Sequence, residues 1–364
     1  MKCVIVTDAF RARSPLPAPF LALGSCAVDC AAHPARSCPR ARIFSRGGSP
    51  PRLGSQGVRK DVRSIGHGAR LLWEDLLIPG SFEYHRPASL SEAVALLGRL
   101  DSDARLIAGG HSLIPMMKLR LAMPTHLVDL AGVAELKGAR LEGGEIVIGA
   151  MTTQREIIMS GVLAEHAPIL RETAEVIADP QVRYVGTIGG NVANGDPGND
   201  MPALMMALGA SYVLSGPGGE RRVPARDYYL SPYETAAQPG EVLAAIRVPK
   251  PPAGHGWAYE KLKRKVGDYA TAAAAVILTV SGGRIASCAI GLTNVGGTAL
   301  FASEAAAATV GTALDPPTLA RAAAAATAIA SPAEDGRGSA EYRAKMAGVM
   351  TARALKRAFA RATS

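Results

Sequence analysis

Two glycine-rich segments, 80 positions apart, place the strongest constraint on this 364-residue chain. The first runs from Leu106 to Pro115 around Gly109-Gly110, and the second runs from Thr187 to Asp200 around Gly189-Gly190. Each is predicted to be an apolar strand that turns through two glycines into a polar, helix-opening segment. Because glycine lacks a Cβ, such turns expose backbone N–H groups and let a phosphate approach the main chain. The pair therefore predicts a site that holds a pyrophosphate from two sides.

Charge is distributed unevenly along the chain. The net charge is +9, and the first 76 residues hold 12 Lys and Arg against 5 Asp and Glu, which places +7 there and +2 in the rest. The main body is therefore nearly neutral, which disfavours nucleic-acid binding.

No apolar run reaches the roughly 18 to 20 residues that cross a bilayer. The longest, from Tyr269 to Val280, is predicted to be a buried strand.

Residues 1–76 differ in composition from the rest of the chain. They are rich in Arg, Pro, Ser and Gly and lack sustained periodicity, which predicts a disordered extension or sequence upstream of the true start. Two alternatives are a lipoprotein cleavage site before Cys26 and a metal site at Cys26, Cys30 and Cys38, although neither matches a standard pattern. Beyond this segment only Cys288 remains. The body is therefore predicted to be reduced and unable to ligate an iron–sulfur cluster, which needs about four thiolates.

Periodicity and capping signals divide the remaining chain into two parts joined by a linker at Pro249–Gly254. Strands and helices alternate before the linker, whereas three strands and then alanine-rich helices follow it. The predicted strands are 82–87, 105–108, 126–130, a hairpin at 141–148, 211–214, 242–248, 256–262, 272–280 and 284–294. The predicted helices are 93–100, 111–121, 154–160, 169–178, 202–208, 303–310, 317–330 and 340–361.

The chemistry-bearing residues indicate cofactor binding rather than catalysis by side chains. Neither glycine turn is a G-x-G-x-x-G fingerprint or a P-loop, and no nucleophile elbow, zinc-protease motif or paired-carboxylate signature is present. Asp200 has two interpretations, a helix cap and an acceptor for ligand hydroxyls. His111 is a candidate general base, although a simple contact is the commoner role. We predict no catalytic residue and no metal ligand, and expect a cofactor to supply the chemistry.

Four motifs make the chain resemble the flavin-binding subunits of molybdenum hydroxylases. The motifs are Ile78–Phe82, Ala108–Ser112, Thr187–Asn191 with Asp196–Asp200, and Tyr259–Ala270. The resemblance runs from Leu77 to the C-terminus and leaves out residues 1–76. Such subunits begin just before the Ile-Pro-Gly motif, and the leucine codon TTG serves as a bacterial start, which makes Leu77 a candidate start.

The resemblance implies an α+β fold in two domains. Residues 77–253 are expected to form an FAD-binding domain of the vanillyl-alcohol oxidase (PCMH) type, with α/β subdomains at about 77–131 and 132–253. Residues 254–364 are expected to form a C-terminal α+β domain with a small antiparallel sheet and helices. The two glycine turns are expected to bind the FAD pyrophosphate, and Asp200 the ribityl or adenosine side.

The resemblance also implies how the flavin ring is held. Tyr269 is expected to stack on the isoalloxazine; the alternative is a core tyrosine at a strand start. The basic cluster at 261–265 is either a solvated face or a surface that contacts a partner or stabilises a reduced flavin. FAD is expected to be non-covalent, although a His placed like His111 bonds to flavin in other proteins of this fold. The expected cofactor-binding residues are Ala108, Gly109, Gly110, His111, Ser112, Leu113, Thr187, Ile188, Gly189, Gly190, Asn191, Asp200, Lys261, Asp268 and Tyr269.

The family's activity implies an electron-transfer role within a complex. A molybdopterin large subunit is expected to oxidise carbon monoxide, and an iron–sulfur small subunit to pass electrons to the FAD of this chain and on to a quinone or similar acceptor. The expected assembly is a dimer of heterotrimers, either cytoplasmic or peripheral at the inner face of the cytoplasmic membrane. The alternatives are a hydroxylase subunit for a purine or other N-heterocycle, a stand-alone FAD oxidoreductase, and a binding protein that has lost FAD.

Overall fold

Three β-sheets of three to five strands, each formed by a separate stretch of chain, and one two-stranded ribbon organise the residues that the structure describes. The computed structural model describes residues 78–100 and 103–364. The predictions for residues 1–76, including the extension, the lipoprotein site and the cysteine metal site, lie outside these residues. The combination of sheets and packed helices confirms the predicted α+β class.

The first sheet contains three parallel strands in the order β1-β3-β2. The strands are β1 (Glu83–His85), β2 (Ala104–Ile107) and β3 (His126–Asp129). Helix α1 (Leu90–Leu100) packs its apolar side on this sheet. Helix α2 (Leu113–Lys118) follows the first glycine turn. The strand, turn and helix predicted around Gly109-Gly110 are therefore confirmed.

The second sheet contains five antiparallel strands in the order β4-β5-β10-β6-β7. The strands are β4 (Ala139–Glu142), β5 (Glu145–Gly149), β6 (Ser211–Gly216), β7 (Gly219–Pro224) and β10 (Val242–Pro249). Between β7 and β10 in the chain, β8 (Tyr229–Ser231) and β9 (Glu234–Thr235) pair to form a separate two-stranded ribbon. The predicted hairpin between β4 and β5 is confirmed, whereas β7 was missed because its Gly-Glu-Arg-Arg start has no alternating apolar pattern.

Six short helices connect β5 to β6, and all but the fourth of them share a core with the second sheet. They are α3 (Gln154–Met159), α4 (Gly161–His166), α5 (Pro168–Val176), α6 (Pro180–Val185), α7 (Ile188–Ala193) and α8 (Asp200–Ala207). Helix α8 is buried along its whole length, so it is apolar on every side rather than amphipathic.

The second glycine pair does not follow a strand, so that part of the prediction is wrong. Helix α6 precedes it, and Gly189 and Gly190 lie in the first turn of α7. The helix signal was present in the sequence. Asp179 accepts a hydrogen bond from the Val182 amide, and Pro180 occupies the first helical position. An Asp-Pro pair of this kind starts a helix even where the following residues are β-branched and aromatic.

The third sheet follows the predicted linker and contains four antiparallel strands in the order β11-β12-β13-β14. The strands are β11 (Gly256–Leu262), β12 (Ala272–Ser281), β13 (Arg284–Thr293) and β14 (Leu300–Phe301). Helices α9 (Ser303–Ala307), α10 (Pro316–Ala328) and α11 (Ala340–Thr363) form a second hydrophobic core with this sheet. Within the described part of the chain, no helix has both the length and the apolar character that a membrane crossing requires.

Glycines let helices lie directly on the third sheet. A Cβ at Gly291 of β13 would lie 2.0 Å from the Ala203 carbonyl oxygen of α8, and one at Gly256 of β11 would lie 1.9 Å from the Ala358 oxygen of α11. Since α8 begins at Asp200, the first of these contacts helps to fix a predicted cofactor residue.

We expect Gly291→Ala to lower the free energy of unfolding by about 1–3 kcal/mol, because the new methyl group overlaps a helix backbone that cannot move alone. The matched control is Gly98→Ala in α1, where no atom lies within 4 Å of the new Cβ. The control should be neutral or slightly stabilising, as alanine favours a helix. Denaturant unfolding of both variants tests this, and equal midpoints would contradict the close approach.

Candidate functional site

One cavity of about 270 Å³ lies beyond the C-terminal end of β2 and collects most of the predicted cofactor residues. All of them line it except Ile188 and Gly189. Those two lie behind the wall, where Ile188 is fully buried and the Gly189 amide bonds to a backbone carbonyl. Gln154 and Asn199 also line the cavity, although sequence reasoning selected neither.

The first glycine turn presents a row of free backbone donors. Among the described residues, none accepts a hydrogen bond from the N–H groups of residues 109–113. Gly110 has a φ of +73°, and a left-handed residue within such a row forms the concave nest that binds anions. A Cβ at Gly109 would lie 2.6 Å from the Val185 carbonyl oxygen, so this turn lies directly against the chain that leads into α7. The arrangement suits a phosphate or pyrophosphate.

The second glycine pair offers no free backbone donors, because its amides already have hydrogen-bond partners within the protein. The N–H groups of residues 188–191 all donate within the protein, and that of Gly190 donates to Thr187 Oγ1 at 2.9 Å. The prediction that this turn exposes backbone amides is therefore wrong, since Thr187 caps its own helix. Gly190 instead lets a ligand approach closely: a Cβ there would lie only 3.0 Å from Thr187 Oγ1, a tight contact, and 3.6 Å from the Ala108 methyl group.

Gln154 has an unsatisfied side chain at the cavity wall. The residue is 2% exposed, and neither Oε1 nor Nε2 has a hydrogen-bond partner among the described residues. A buried amide without partners costs about 1–3 kcal/mol, and a ligand that bonds to it removes this cost. The sequence carries no signal for this role, because a Gln after the capping residue Thr153 is typical of an ordinary first turn.

Asp200 forms a buried ion pair at the opposite wall. It is the first residue of α8, and Asn199 is the N-cap, so the helix-cap interpretation is wrong. Asp200 Oδ2 lies 2.7 Å from Lys261 Nζ, and Oδ1 accepts a hydrogen bond from Tyr259 at 2.6 Å. Burial, aided by the charge of Asp200, raises the pKa of Tyr259 well above its usual value. Tyr259 therefore remains protonated and donates to the carboxylate.

The basic cluster at 261–265 is divided between different roles. The Lys261 side chain is only 3% exposed, so the prediction of a solvated face is wrong for it. Burial, followed by the charge of Lys261, lowers the pKa of Lys263. Arg264 pairs with Asp268 at 2.8 Å, and that hydrogen bond is the main cause of the lowered pKa of Asp268. The Asp268 carboxylate on the cavity wall is thus ionised and already paired.

Tyr269 lies on the cavity wall and is 42% exposed, so it is not a core tyrosine. A Cβ at Gly198 would lie 2.7 Å from Tyr269 Cδ1, which shows that the ring packs on the Gly198 backbone. Desolvation of the hydroxyl, followed by the charge of Asp196, raises the pKa of Tyr269. An aromatic ring fixed in this way at a cavity suits stacking on a planar ligand.

His111 is exposed in the first turn and has no hydrogen-bond or ion-pair partner among the described residues. No carboxylate therefore orients it as the general base of a dyad. The cavity as a whole combines an anion-binding nest, an unsatisfied amide and an exposed ring, and its two carboxylates, Asp200 and Asp268, are already paired with Lys261 and Arg264. This donor set fits a dinucleotide with a diphosphate and a planar ring.

Comparison with known proteins decides the family. The family model described as the FAD binding domain in molybdopterin dehydrogenase matches residues 80–251, and that of the CO dehydrogenase flavoprotein C-terminal domain matches residues 257–358. The carbon monoxide dehydrogenase medium chain of Afipia carboxidovorans is 65% identical over 286 residues, which cover 79% of this chain and 99% of that protein. The chain belongs to the FAD-binding subunits of molybdopterin dehydrogenases.

Two further relatives support this family assignment. The carbon monoxide dehydrogenase medium chain of Hydrogenophaga pseudoflava is 53% identical over 285 residues, which cover 78% of this chain and 99% of that protein. A chain in the crystal structure of a cyanide-inactivated Cu,Mo-CO dehydrogenase superposes with a TM-score of 0.77 at 65% identity, covering 78% of this chain and 99% of that chain. The predicted FAD-binding fold of this family is thereby confirmed.

The buried ion pair of this FAD-binding subunit gives a direct test of the site's packing. We expect Lys261→Met to lower the free energy of unfolding by about 3–5 kcal/mol, because it leaves Asp200 buried without a cation. Asp200→Asn combined with Lys261→Met should recover part of this loss, since no charge is then buried.

The control for that test is Arg171→Met, which breaks an exposed pair with Glu175 on α5. Exposed pairs contribute about 0–1 kcal/mol, so this variant should unfold close to the wild type. Denaturant midpoints measure all four proteins. A Lys261→Met midpoint equal to that of the control would show that the pair does not stabilise the fold.

Proposed function

We propose that this chain is the FAD-carrying medium subunit of an aerobic carbon monoxide dehydrogenase. The observation that carries the proposal is the 65% identity to such a medium chain across 99% of that chain's length. The cavity supports it, because 13 of the 15 predicted cofactor-binding residues line it and the first glycine turn offers free amides there. When bound, FAD supplies the ability to take electrons singly from iron–sulfur clusters and to release them in pairs.

The residues of this chain would bind and orient the cofactor rather than transform a substrate. The amides of residues 109–113 would donate to the pyrophosphate, where the nest concentrates positive partial charge. The open side of Gly190 would let the phosphates approach. Gln154 would bond to a polar atom of the cofactor and so satisfy its own buried amide. We propose the remaining predicted residues that line the cavity as cofactor contacts on the same basis.

The Asp200–Lys261 pair and Tyr269 would set the environment of the ring. Tyr259 and Asp200 hold the Lys261 ammonium at the wall, where a fixed positive charge stabilises added negative charge on a neighbouring group. Tyr269, seated on Gly198, would stack on the ring. None of these side chains needs to exchange a proton with a substrate.

The partners and location follow from the same assignment. Medium chains by name belong to multi-subunit enzymes, and we propose an iron–sulfur small subunit, a molybdopterin large subunit, a dimer of heterotrimers and a quinone acceptor. A cytoplasmic position, with contact to the inner membrane face as a variant, is consistent with the unpaired Cys288. We also propose domains at 77–253 and 254–364, which the two family matches support.

Two alternatives are less well supported. A subunit for a purine or another N-heterocycle would share the cavity, but the relatives of 65% and 53% identity are both carbon monoxide dehydrogenase chains. A stand-alone oxidoreductase would need an acid–base pair of its own. On the described cavity wall, Asp200, Lys261 and Asp268 are already engaged in ion pairs, and His111 has no partner among the described residues.

The function is tested by purifying the complex through an affinity tag on this chain. We expect it to contain FAD, molybdenum and iron, and to reduce a dye with carbon monoxide as the electron donor. Gly190→Val should lower the FAD content at least tenfold and abolish dye reduction, because its side chain fills the space left for the phosphates.

The matched control is Gly161→Val, in the first turn of another six-residue helix, where no atom lies within 4 Å of the new Cβ. This control should retain both FAD and activity. Full FAD content in Gly190→Val would place the phosphates elsewhere. A flavin-containing complex that oxidises a purine but not carbon monoxide would favour the first alternative.

We expect FAD to be held without a covalent bond, since the free amides and the unsatisfied Gln154 supply enough hydrogen bonds to retain it. Acid precipitation of the purified protein should release yellow FAD into the supernatant, which absorbance measures. His111→Ala should give the same result. A pellet that stays yellow in the wild type and turns colourless in His111→Ala would instead reveal a covalent histidyl bond.

A further inference from the structure

Three side chains that commonly bind metal ions meet on one face of the first sheet, away from the flavin cavity. Glu83 and His85 are two residues apart on β1, so they lie on the same face of the strand. The parallel register pairs Glu83 with His126 of β3 and brings His126 to that face. None of the three lines the cavity, which lies beyond the opposite end of the sheet. No function proposed above uses them.

The ligand atoms of these residues converge on one point. His85 Nε2 lies 3.2 Å from His126 Nδ1, and Glu83 Oε2 lies 3.5 Å from His126 Nδ1 and 3.9 Å from His85 Nε2. In a tetrahedral zinc site with ligand distances of about 2.0–2.1 Å, neighbouring ligand atoms lie about 3.3 Å apart. The three observed separations bracket this value.

A simple hydrogen bond between the imidazoles explains only one of these contacts. A hydrogen bond between His85 and His126 uses the N–H of one ring and the lone pair of the other, but the Glu83 carboxylate oxygen then faces the same point at more than hydrogen-bond length. When both facing ring nitrogens are unprotonated, three lone pairs are directed at one place and repel each other, and a cation at the centre turns that repulsion into attraction.

We propose that Glu83, His85 and His126 form a binding site for a divalent late first-row metal ion, with Zn²⁺ as the best match. Two imidazoles and one carboxylate are the ligand set of open zinc sites, which leave a fourth position for water. The Glu83 side chain is 73% exposed, and the two histidines are 24% and 22% exposed, so the fourth position faces solvent. The ion would be exchangeable rather than enclosed.

Such an ion would also link the edge strand β1 to its neighbour β3. β1 is a three-residue edge strand, and two of its three side chains would be joined to β3 through the metal. Because metal bound only to the folded state adds its binding free energy to stability, zinc should raise the melting temperature.

The test is equilibrium dialysis of the full chain, loaded with FAD and freed of metal by EDTA, against micromolar ZnCl₂, with bound zinc measured by mass spectrometry. We expect the wild type to bind one zinc ion more than the variant that combines His85→Asn with His126→Asn. Each single variant and Glu83→Gln should weaken this site at least tenfold. The zinc-dependent rise in melting temperature should disappear with the site. Cysteines outside the described residues contribute equally to all variants, so the difference isolates the site.

The matched control is His166→Asn, which removes a histidine that faces a single carboxylate, Glu165, at 3.6 Å. It should bind as much zinc as the wild type. Equal zinc binding by the wild type and the double variant, or no zinc binding by either, would overturn the proposal and leave a hydrogen-bonded histidine pair. FAD content is read in the same samples and should not differ among variants. Loss of FAD from the wild type would count against the flavin assignment and not against the zinc site.

Discussion

The buried pair between Asp200 and Lys261 connects the two halves of this molecule at its cavity. Asp200 opens α8, inside the region that matches the FAD-binding family model, and Lys261 lies on β11, inside the region that matches the C-terminal model. Both charges are almost fully withdrawn from water, so the pair is favourable only where its geometry is kept. The Tyr259 hydroxyl donates a hydrogen bond to Asp200 and so orients its carboxylate. The close contact of Gly291 with α8 helps to fix the position of the helix that begins at Asp200.

The two glycine turns show what local sequence can and cannot predict. The first was predicted correctly as strand, turn and helix, because an apolar run before Gly109-Gly110 and a helical pattern after it agree with each other. The second was not, because a helix precedes it and its amides have partners: Gly190 donates to Thr187 Oγ1 and Gly189 donates to the Ala150 carbonyl. Whether an N–H group is free depends on which acceptors the fold brings near it. A motif of a few residues does not contain that information.

Other residues escaped sequence reasoning because their role depends on distant neighbours. Gln154 follows an ordinary capping residue, and its importance appears only when the folded chain leaves its amide buried without a partner. His85 and His126 are 41 positions apart, and only the parallel register of β1 and β3 brings them together. The longer strands and helices were predicted from periodicity, whereas β7 and the short helices α4, α6 and α7 were missed and pairings across the chain required the three-dimensional fold.

If the free amides of the first turn bind the FAD diphosphate, as proposed above, the supply of cofactor affects the stability of the subunit. Without an anion these donors can turn only to water, whereas a tightly held dinucleotide engages them in the folded chain alone. At a concentration one hundred times its dissociation constant, such a ligand adds about 2.7 kcal/mol to stability. That increment is a large share of the margin by which an ordinary domain stays folded. On that proposal, a shortage of flavin in a cell would lower the stability of the subunit and so favour its degradation.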